Sequence, residues 1–185
     1  AFQSIYLRDE PRIAASRWLF QNAPGPVNLQ IETIDSGIYN QPLPIPNGMT
    51  ISPGMPFTLT FNPKHNGQIS EVILGHAMDS ASPSTIVLSL HSSLAPDIPL
   101  ARAAQVVDFE STDDPRGPSV TFSFDQPIPL FEGQLYFLRI ETLGSGLSLS
   151  GAAIANETNY DWGLPFRIDG YDAYGGIYPG DLTLQ

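Results

Sequence analysis

The sequence predicts a mainly β fold: an antiparallel two-sheet sandwich, jelly-roll-like, with one N-terminal helix. Three observations carry that expectation. Apolar residues recur at a spacing of two in successive short runs, the period of a half-buried strand. Eighteen prolines and sixteen glycines are scattered through 185 residues without a repeat, which marks many tight turns rather than low complexity. After residue 25 no stretch carries the helical period that the crossovers of a parallel sheet require. The same alternation would also permit a closed barrel, which is the alternative architecture.

The helix comes first. Asp9 suits an N-cap, Glu10 and Pro11 suit a first turn, and Ala14, Ala15, Trp18 and Leu19 form one stripe. That stripe makes Trp18 an expected core-facing anchor. Asn22-Ala-Pro-Gly-Pro26 then ends the helix, because proline cannot extend its hydrogen-bond ladder. From Val27 the period becomes two: Val27, Leu29, Ile31 and Thr33 alternate with Asn28, Gln30 and Glu32. Ser36 to Pro56, rich in proline and glycine, reads as loop. Further strands are expected at Phe57–Phe61, Ile69–Met78, Thr85–His91, Arg102–Phe109, Val120–Phe124, Leu135–Thr142 and Leu147–Gly151. Turn chemistry separates them, as in Asn62-Pro-Lys-His-Asn-Gly67, Asp113-Asp-Pro-Arg-Gly117 and Phe131-Glu-Gly133.

Charge narrows the function classes. Nineteen acidic residues face eight basic ones, and Lys64 is the sole lysine. Such a field repels phosphate backbones and anionic lipid headgroups, so nucleic acid is not an expected partner. The chain has no cysteine, which excludes disulfides, thiolate zinc sites and cysteine nucleophiles. No apolar run approaches the eighteen or so residues of a membrane span, and no signal peptide is recognisable. The abrupt start at Ala1-Phe-Gln-Ser suggests a piece of a larger protein.

Catalytic patterns are thin. His65 falls in an expected turn, whereas His76 and His91 fall in expected strands, so a two-histidine metal site across neighbouring strands is conceivable; hydrogen-bonded or exposed histidines are the plainer expectation. Gly144-Ser-Gly146 and Ser148-Leu-Ser-Gly151 do not form the GxSxG elbow, and no phosphate-cradling glycine motif stands between a strand and a helix.

The closing stretch, Ala155 to Asp181, is different. It gathers Trp162, four of the seven tyrosines (Tyr160, Tyr171, Tyr174, Tyr178) and the carboxylates Glu157, Asp161, Asp169, Asp172 and Asp181. Paired carboxylates suit glycoside hydrolysis when correctly spaced, with Glu157 and Asp161 as candidates against Asp169 or Asp172. Oxygen donors at Asn156, Glu157 and Asp161, with Asp169 and Asp172 beside them, would suit a structural calcium ion. Stacking rings beside hydrogen-bonding groups suit a sugar, whose apolar C–H faces pack on aromatics while its hydroxyls meet polar side chains. Arg167, Asp169, Tyr171, Asp172, Tyr174 and Tyr178 are the expected ligand-binding residues on that reading. The plainer expectation is that these groups cover a sheet edge or face water.

Two segments resemble a known family. Pro11-Arg-Ile-Ala-Ala-Ser-Arg-Trp-Leu-Phe-Gln-Asn-Ala-Pro-Gly25 is similar to a segment that follows the last membrane spans of large bacterial and archaeal membrane proteins. Those proteins are related to the dolichyl-phosphate-mannose type of glycosyltransferase. In many of them that segment runs into an acidic, aromatic motif, which Ile154-Ala-Asn-Glu-Thr-Asn-Tyr-Asp-Trp-Gly-Leu-Pro165 resembles, with Tyr160-Asp161-Trp162 where Trp-Asp-Asp is commoner. The resemblance implies a cell-surface, extracytoplasmic domain in which a strand-rich insert parts two family segments. It also implies that the catalytic acids lie in loops between membrane spans, outside this chain. The insert is similar in pattern to jelly-roll carbohydrate-binding modules.

The expected organisation is therefore one domain: a helical lead-in (1–25), a β-sandwich (26–154) and the closing segment (155–185). The expected role is a non-catalytic module of a membrane glycosyltransferase-like protein that binds or positions a glycan. Membrane contact would come only through spans outside this chain. A structural or protein-interaction domain and a free-standing carbohydrate-active enzyme are the alternatives.

Overall fold

A computed structural model describes residues 18, 21–35, 37–43, 45 and 49–151. Among them the chain is mainly β, with strands β1 (Val27–Thr33), β2 (Gly37–Leu43), β3 (Thr50–Ile51), β4 (Phe57–Phe61), β5 (Gly67–Leu74), β6 (His76–Asp79), β7 (Ser84–Ser92), β8 (Ala95–Val107), β9 (Val120–Leu130), β10 (Tyr136–Thr142) and β11 (Leu147–Ser150). They form three antiparallel sheets, ordered β2-β1-β5-β9, β4-β10-β7-β8 and β3-β11-β6. We call the first two sheet I and sheet II.

Alternation decides which faces meet. Along β10, Tyr136, Leu138, Ile140 and Thr142 are buried while Phe137, Arg139 and Glu141 are not. Along β9, Val120, Phe122 and Phe124 are buried while Thr121, Ser123 and Asp125 are exposed. Val27, Leu29, Val72 and Phe122 of sheet I join Leu59, Ile86, Leu88 and Leu138 of sheet II in one buried cluster, so the arrangement is sandwich-like. Each such side chain contributes about 1.5–3 kcal/mol by leaving water. Tyr136 stacks on Phe61, with ring centroids 5.7 Å apart, and its hydroxyl accepts a 3.2 Å bond from the Phe131 N–H.

The small sheet is a continuation of sheet I. β5 passes through Gly75 into β6, giving one long track. β1 pairs with β5 and β11 pairs with β6, both antiparallel to it, so β11 and β1 share one strand position end to end. Beyond them β3 and β2 stand in the same relation, β3 against β11 and β2 against β1. The seam falls at three glycines. The Gly75 N–H donates to the Pro26 carbonyl at 3.0 Å, and a Cβ on Gly75 would stand 2.5 Å from the Gly25 oxygen. Only glycine lets three backbones meet this closely.

The expectations for individual elements fare unevenly. β1 and β4 coincide with the expected strands. The Ser36–Pro56 loop instead contains β2 and β3. Its Pro42 is tolerated because β2 is an edge strand, where a missing N–H breaks no ladder on the open side. The run Ile69–Met78 is interrupted at Gly75, and β8 and β9 extend well beyond the alternating segments.

No helix stands among the described elements. Of the expected helix, Trp18, Gln21 and Asn22 are described; all three have helical backbone, and the rest of the segment lies outside the described residues. Trp18 is 62% exposed, which overturns its expected role as a core anchor. The two sheets close their own core, and Gln21 makes the contact instead. Its amide donates to the Asn40 carbonyl and accepts from the Asn40 N–H, both at 2.8 Å. The last turn of the lead-in is thereby tied to β2.

Candidate functional site

All the sequence-predicted ligand residues (Arg167, Asp169, Tyr171, Asp172, Tyr174, Tyr178) and the calcium candidates (Asn156, Glu157, Asp161) lie outside the described residues. Among the described residues no three histidine or acidic side chains come together as a metal group. The three histidines are dispersed. His65 packs edge-on to Tyr39, with centroids 4.3 Å apart. His76 and His91 lie on β6 and β7, which are not paired strands, so the conceived two-histidine site does not form between them.

Among the described residues an open concavity lies at the far end of sheet I. β1 starts at the glycine seam and ends at Thr33, so its seven residues carry the chain about 20 Å away. There the β1–β2, β4–β5 and β9–β10 turns border an open groove of about 590 Å³. Its apolar lining includes Ile34, Pro129 and Phe131, and its polar lining includes Glu32, Asn66 and Gln68. Phe131 is 55% exposed and Ile34 is 97% exposed, so both present apolar surface to solvent.

The rim is held by specific bonds. Asn66 Oδ1 accepts from the Glu132 N–H at 2.9 Å, which ties the β4–β5 turn to the β9–β10 turn. The Asn62 amide donates to the Gly133 carbonyl at 2.7 Å, and the Gly133 N–H donates to Pro63 at 3.1 Å. Buried Gln41 adds a bridge from β2, donating to the Asn62 carbonyl and accepting from the Lys64 N–H, each at 3.0 Å. A side chain at Gly67 would collide with the Glu32 carbonyl oxygen and the Ile31 side chain, so the groove floor requires glycine. An aromatic face beside a carboxylate and two amides on a braced rim is chemically suited to a polyhydroxylated ligand.

Sequence reasoning missed this groove. The signal was present in Phe131-Glu-Gly133, where a large aromatic opens a turn and has no strand partner to bury it.

Two charged clusters elsewhere are structural in geometry. Asp79 is 3% exposed. Its Oδ1 accepts from the N–H groups of Ala81, Ser145 and Gly146 and from the Ser145 hydroxyl, and its Oδ2 from the Thr142 hydroxyl. Burial pushes its carboxyl up, but these donors together outweigh it and hold the group below the usual aspartate range. A carboxylate so fully supplied with donors has little capacity left for a cation. At the seam end, Asp114 accepts a 2.7 Å bond from Arg116, which draws its carboxyl well below the ordinary value. Arg116 also donates to the Gly151 carbonyl at 3.3 Å, and His76 Nδ1 bonds the Gly117 carbonyl at 2.8 Å.

The outer face of sheet II holds a third group. On β7, Ser89 and His91 are buried although they point away from the core. His91 Nε2 and Ser89 Oγ are 2.9 Å apart, and His91 Nδ1 is buried without a hydrogen-bond partner. Leaving such an atom unpaired costs about 1–3 kcal/mol. Burial, reinforced by the Arg139 charge, lowers the His91 pKa and favours the neutral ring.

No protein-family model matches the chain, and no curated protein or solved structure matches it significantly. The glycosyltransferase likeness therefore rests on the two sequence segments alone.

Proposed function

We propose that this chain is a non-catalytic, extracytoplasmic binding module of a membrane glycosyltransferase-like protein, which holds or positions a carbohydrate. The observation that carries the reading is the groove at Glu32, Asn66, Gln68 and Phe131, set about 20 Å along β1 from the glycine seam. On this reading the chain enters and leaves the sandwich at one end while the ligand is met at the other. The juxtaposition of Gly25 and Gly151 supports an insert between the two family-like segments, since an inserted domain needs neighbouring ends.

A jelly-roll assignment fits the strand order. Sheet II runs β4-β10-β7-β8, and the opposing layer is β9, then β5–β6, then β11 with β1, then β3 with β2. The chain thus crosses between layers in the manner of paired Greek keys. The structural, protein-interaction reading is favoured by one feature of the same rim, the exposure of Ile34 (97%) and Ile38 (64%).

A glycan array probed with the 185-residue chain tests the proposal. Binding of a defined glycan class, lost on Phe131→Ala and weakened by Glu32→Gln, is the expected result. Binding lost on Tyr174→Ala or Arg167→Ala but kept in Phe131→Ala would move the site to the closing segment. Absence of glycan binding in a folded chain would leave the interaction reading in its place.

A further inference from the structure

We propose that the outer face of sheet II, around Ser89, is a binding site for a single oxyanionic group, a carboxylate or a sulfate. It is separate from the groove on sheet I and does not depend on it.

Register builds the site. Ser89 pairs with Arg139 of β10 on one side and with Arg102 of β8 on the other. Directly opposed residues of antiparallel strands share a face. The inward residues here are Leu88, Leu90, Leu138 and Ile140, so Arg139, Ser89 and Arg102 form one outward row. With strands about 4.8 Å apart, the two arginine Cα atoms flank the hydroxyl at a separation of about 10 Å. Arginine forks match planar oxyanions, and two of them around one hydroxyl make a clamp.

The setting makes the arrangement unusual. The chain carries a net charge of −11. Lys64, Arg102, Arg116 and Arg139 are its described lysine and arginine residues, and Arg116 is committed to Asp114. Among the described residues neither Arg102 nor Arg139 has an ion-pair partner. Two arginines are thus carried on the strands either side of one serine, with carboxylates near but not engaged. Glu141 stands in the adjoining row, opposite Val87, and Asp97 lies in the segment over His91.

That segment is a second, independent feature. The β7–β8 register slips twice, between Leu90 and His91 and again between His91 and Ser92. The slips leave Leu100 as a bulge and Pro96, Asp97 and Ile98 without β7 partners. Arg139 Nη2 donates to the Pro96 carbonyl at 3.1 Å, so the looped-out segment fixes one arm of the clamp. Bulges of this kind re-aim side chains and are concentrated beside functional sites. His91 completes the set. His91 Nε2 lies 2.9 Å from Ser89 Oγ, and either group donates according to the tautomer of the ring. Its buried Nδ1 makes no well-formed hydrogen bond, although the Pro96 backbone lies close enough to favour the charged ring.

Room for the rest of the ligand exists at the sheet edge. Arg102 borders an open groove of about 470 Å³ between β8 and β9, which is also lined by Asp125, Gln126 and Pro127. Asp125 disfavours a second negative charge there, which suits a ligand bearing one anionic group on a neutral body.

Nitrogen-15 NMR titration of the 185-residue chain tests this, with sodium sulfate and sodium glucuronate as probes and sodium chloride at matched ionic strength as control. Saturable shifts at the amides of Ser89, Arg102 and Arg139 with either probe, and none with chloride, are expected. A response to glucuronate alone would fix the group as a carboxylate, and a response to sulfate alone as a sulfate. Arg102→Gln alters an exposed side chain and should keep the spectrum of the fold while weakening binding at least tenfold. Ser89→Ala, which retains both charges, should weaken it several-fold. Shifts that do not saturate, or affinity unchanged in a folded Arg102→Gln, would overturn the proposal.

Discussion

Gly25 and Gly151 lie against each other: a Cβ on Gly151 would stand 2.7 Å from the Gly25 carbonyl carbon and 2.8 Å from the Pro24 oxygen. One residue precedes β1 and the other follows β11, with 125 residues between them along the chain (151 − 25 − 1). Gly151→Ala is therefore expected to destabilise by about 1–3 kcal/mol through overpacking. Urea unfolding midpoints measure it. A circular permutant that joins Gly151 to Gly25 through a short glycine linker and opens between Ile34 and Asp35 should unfold cooperatively. Collapse of that permutant to an unfolded chain would contradict the shared strand position of β11 and β1.

Asp79 sets the acid limit of the sandwich. Its folded pKa is depressed, so its contribution is fully present above the ordinary aspartate value and is lost as pH falls through the folded pKa. Asp79→Asn should cost about 1.5–3 kcal/mol near neutrality, the usual worth of hydrogen bonds to a charged group. It should also flatten the fall in melting temperature below about pH 4. Parallel melting curves for the two proteins down the acid range would expose an error in this assignment.

His91 acts in a higher window. A histidine whose folded pKa is lowered is neutral in the native state but takes up a proton when unfolded. Stability is then retained above about pH 6.5 and declines as pH falls from there towards the folded pKa. Replacing His91 by Gln should remove this part of the decline, read as chemical denaturation at pH 7.5 and pH 5.5. An unchanged pH dependence in the variant would show that the ring is not held neutral.

Phe131 and Gln41 probe the same rim in opposite ways. Its ring is 55% exposed, so Phe131→Ala should change the unfolding free energy by no more than about 0.5 kcal/mol, as surface substitutions do. Gln41→Ala, behind the same rim, should behave oppositely. It strands the Asn62 carbonyl and the Lys64 N–H, at a cost of about 1–3 kcal/mol. Comparing the two variants by urea titration tests whether the rim is braced from β2.

The sequence was most legible where packing alone decides. β1, β4 and β10 bury alternate residues against one core, and period-two alternation reports that directly. β2 was invisible because Asn40 and Pro42 are poor strand formers; pairing with β1 and the bonds of buried Gln41 to Asn62 and Lys64 hold the strand in line, and neither leaves a local trace. Gly75 interrupts an apolar run that otherwise continues, because the reason for it is the approach of Gly25 and Ser150 from elsewhere in the chain. The Arg102–Ser89–Arg139 row could not be read at all. It depends on a register between three strands, and one of its two pairings, Ser89 with Arg139, crosses a long stretch of sequence.

The glycine seam also has a mechanical meaning. Tension applied at Gly25 and Gly151 themselves would act on two points in contact. The force would part those points directly, peeling β1 and β11 from the β5–β6 track in opposite directions, and would place no shear across the core between the two sheets. Pulling on those two points would thus open the seam first and leave the opposite rim to separate last.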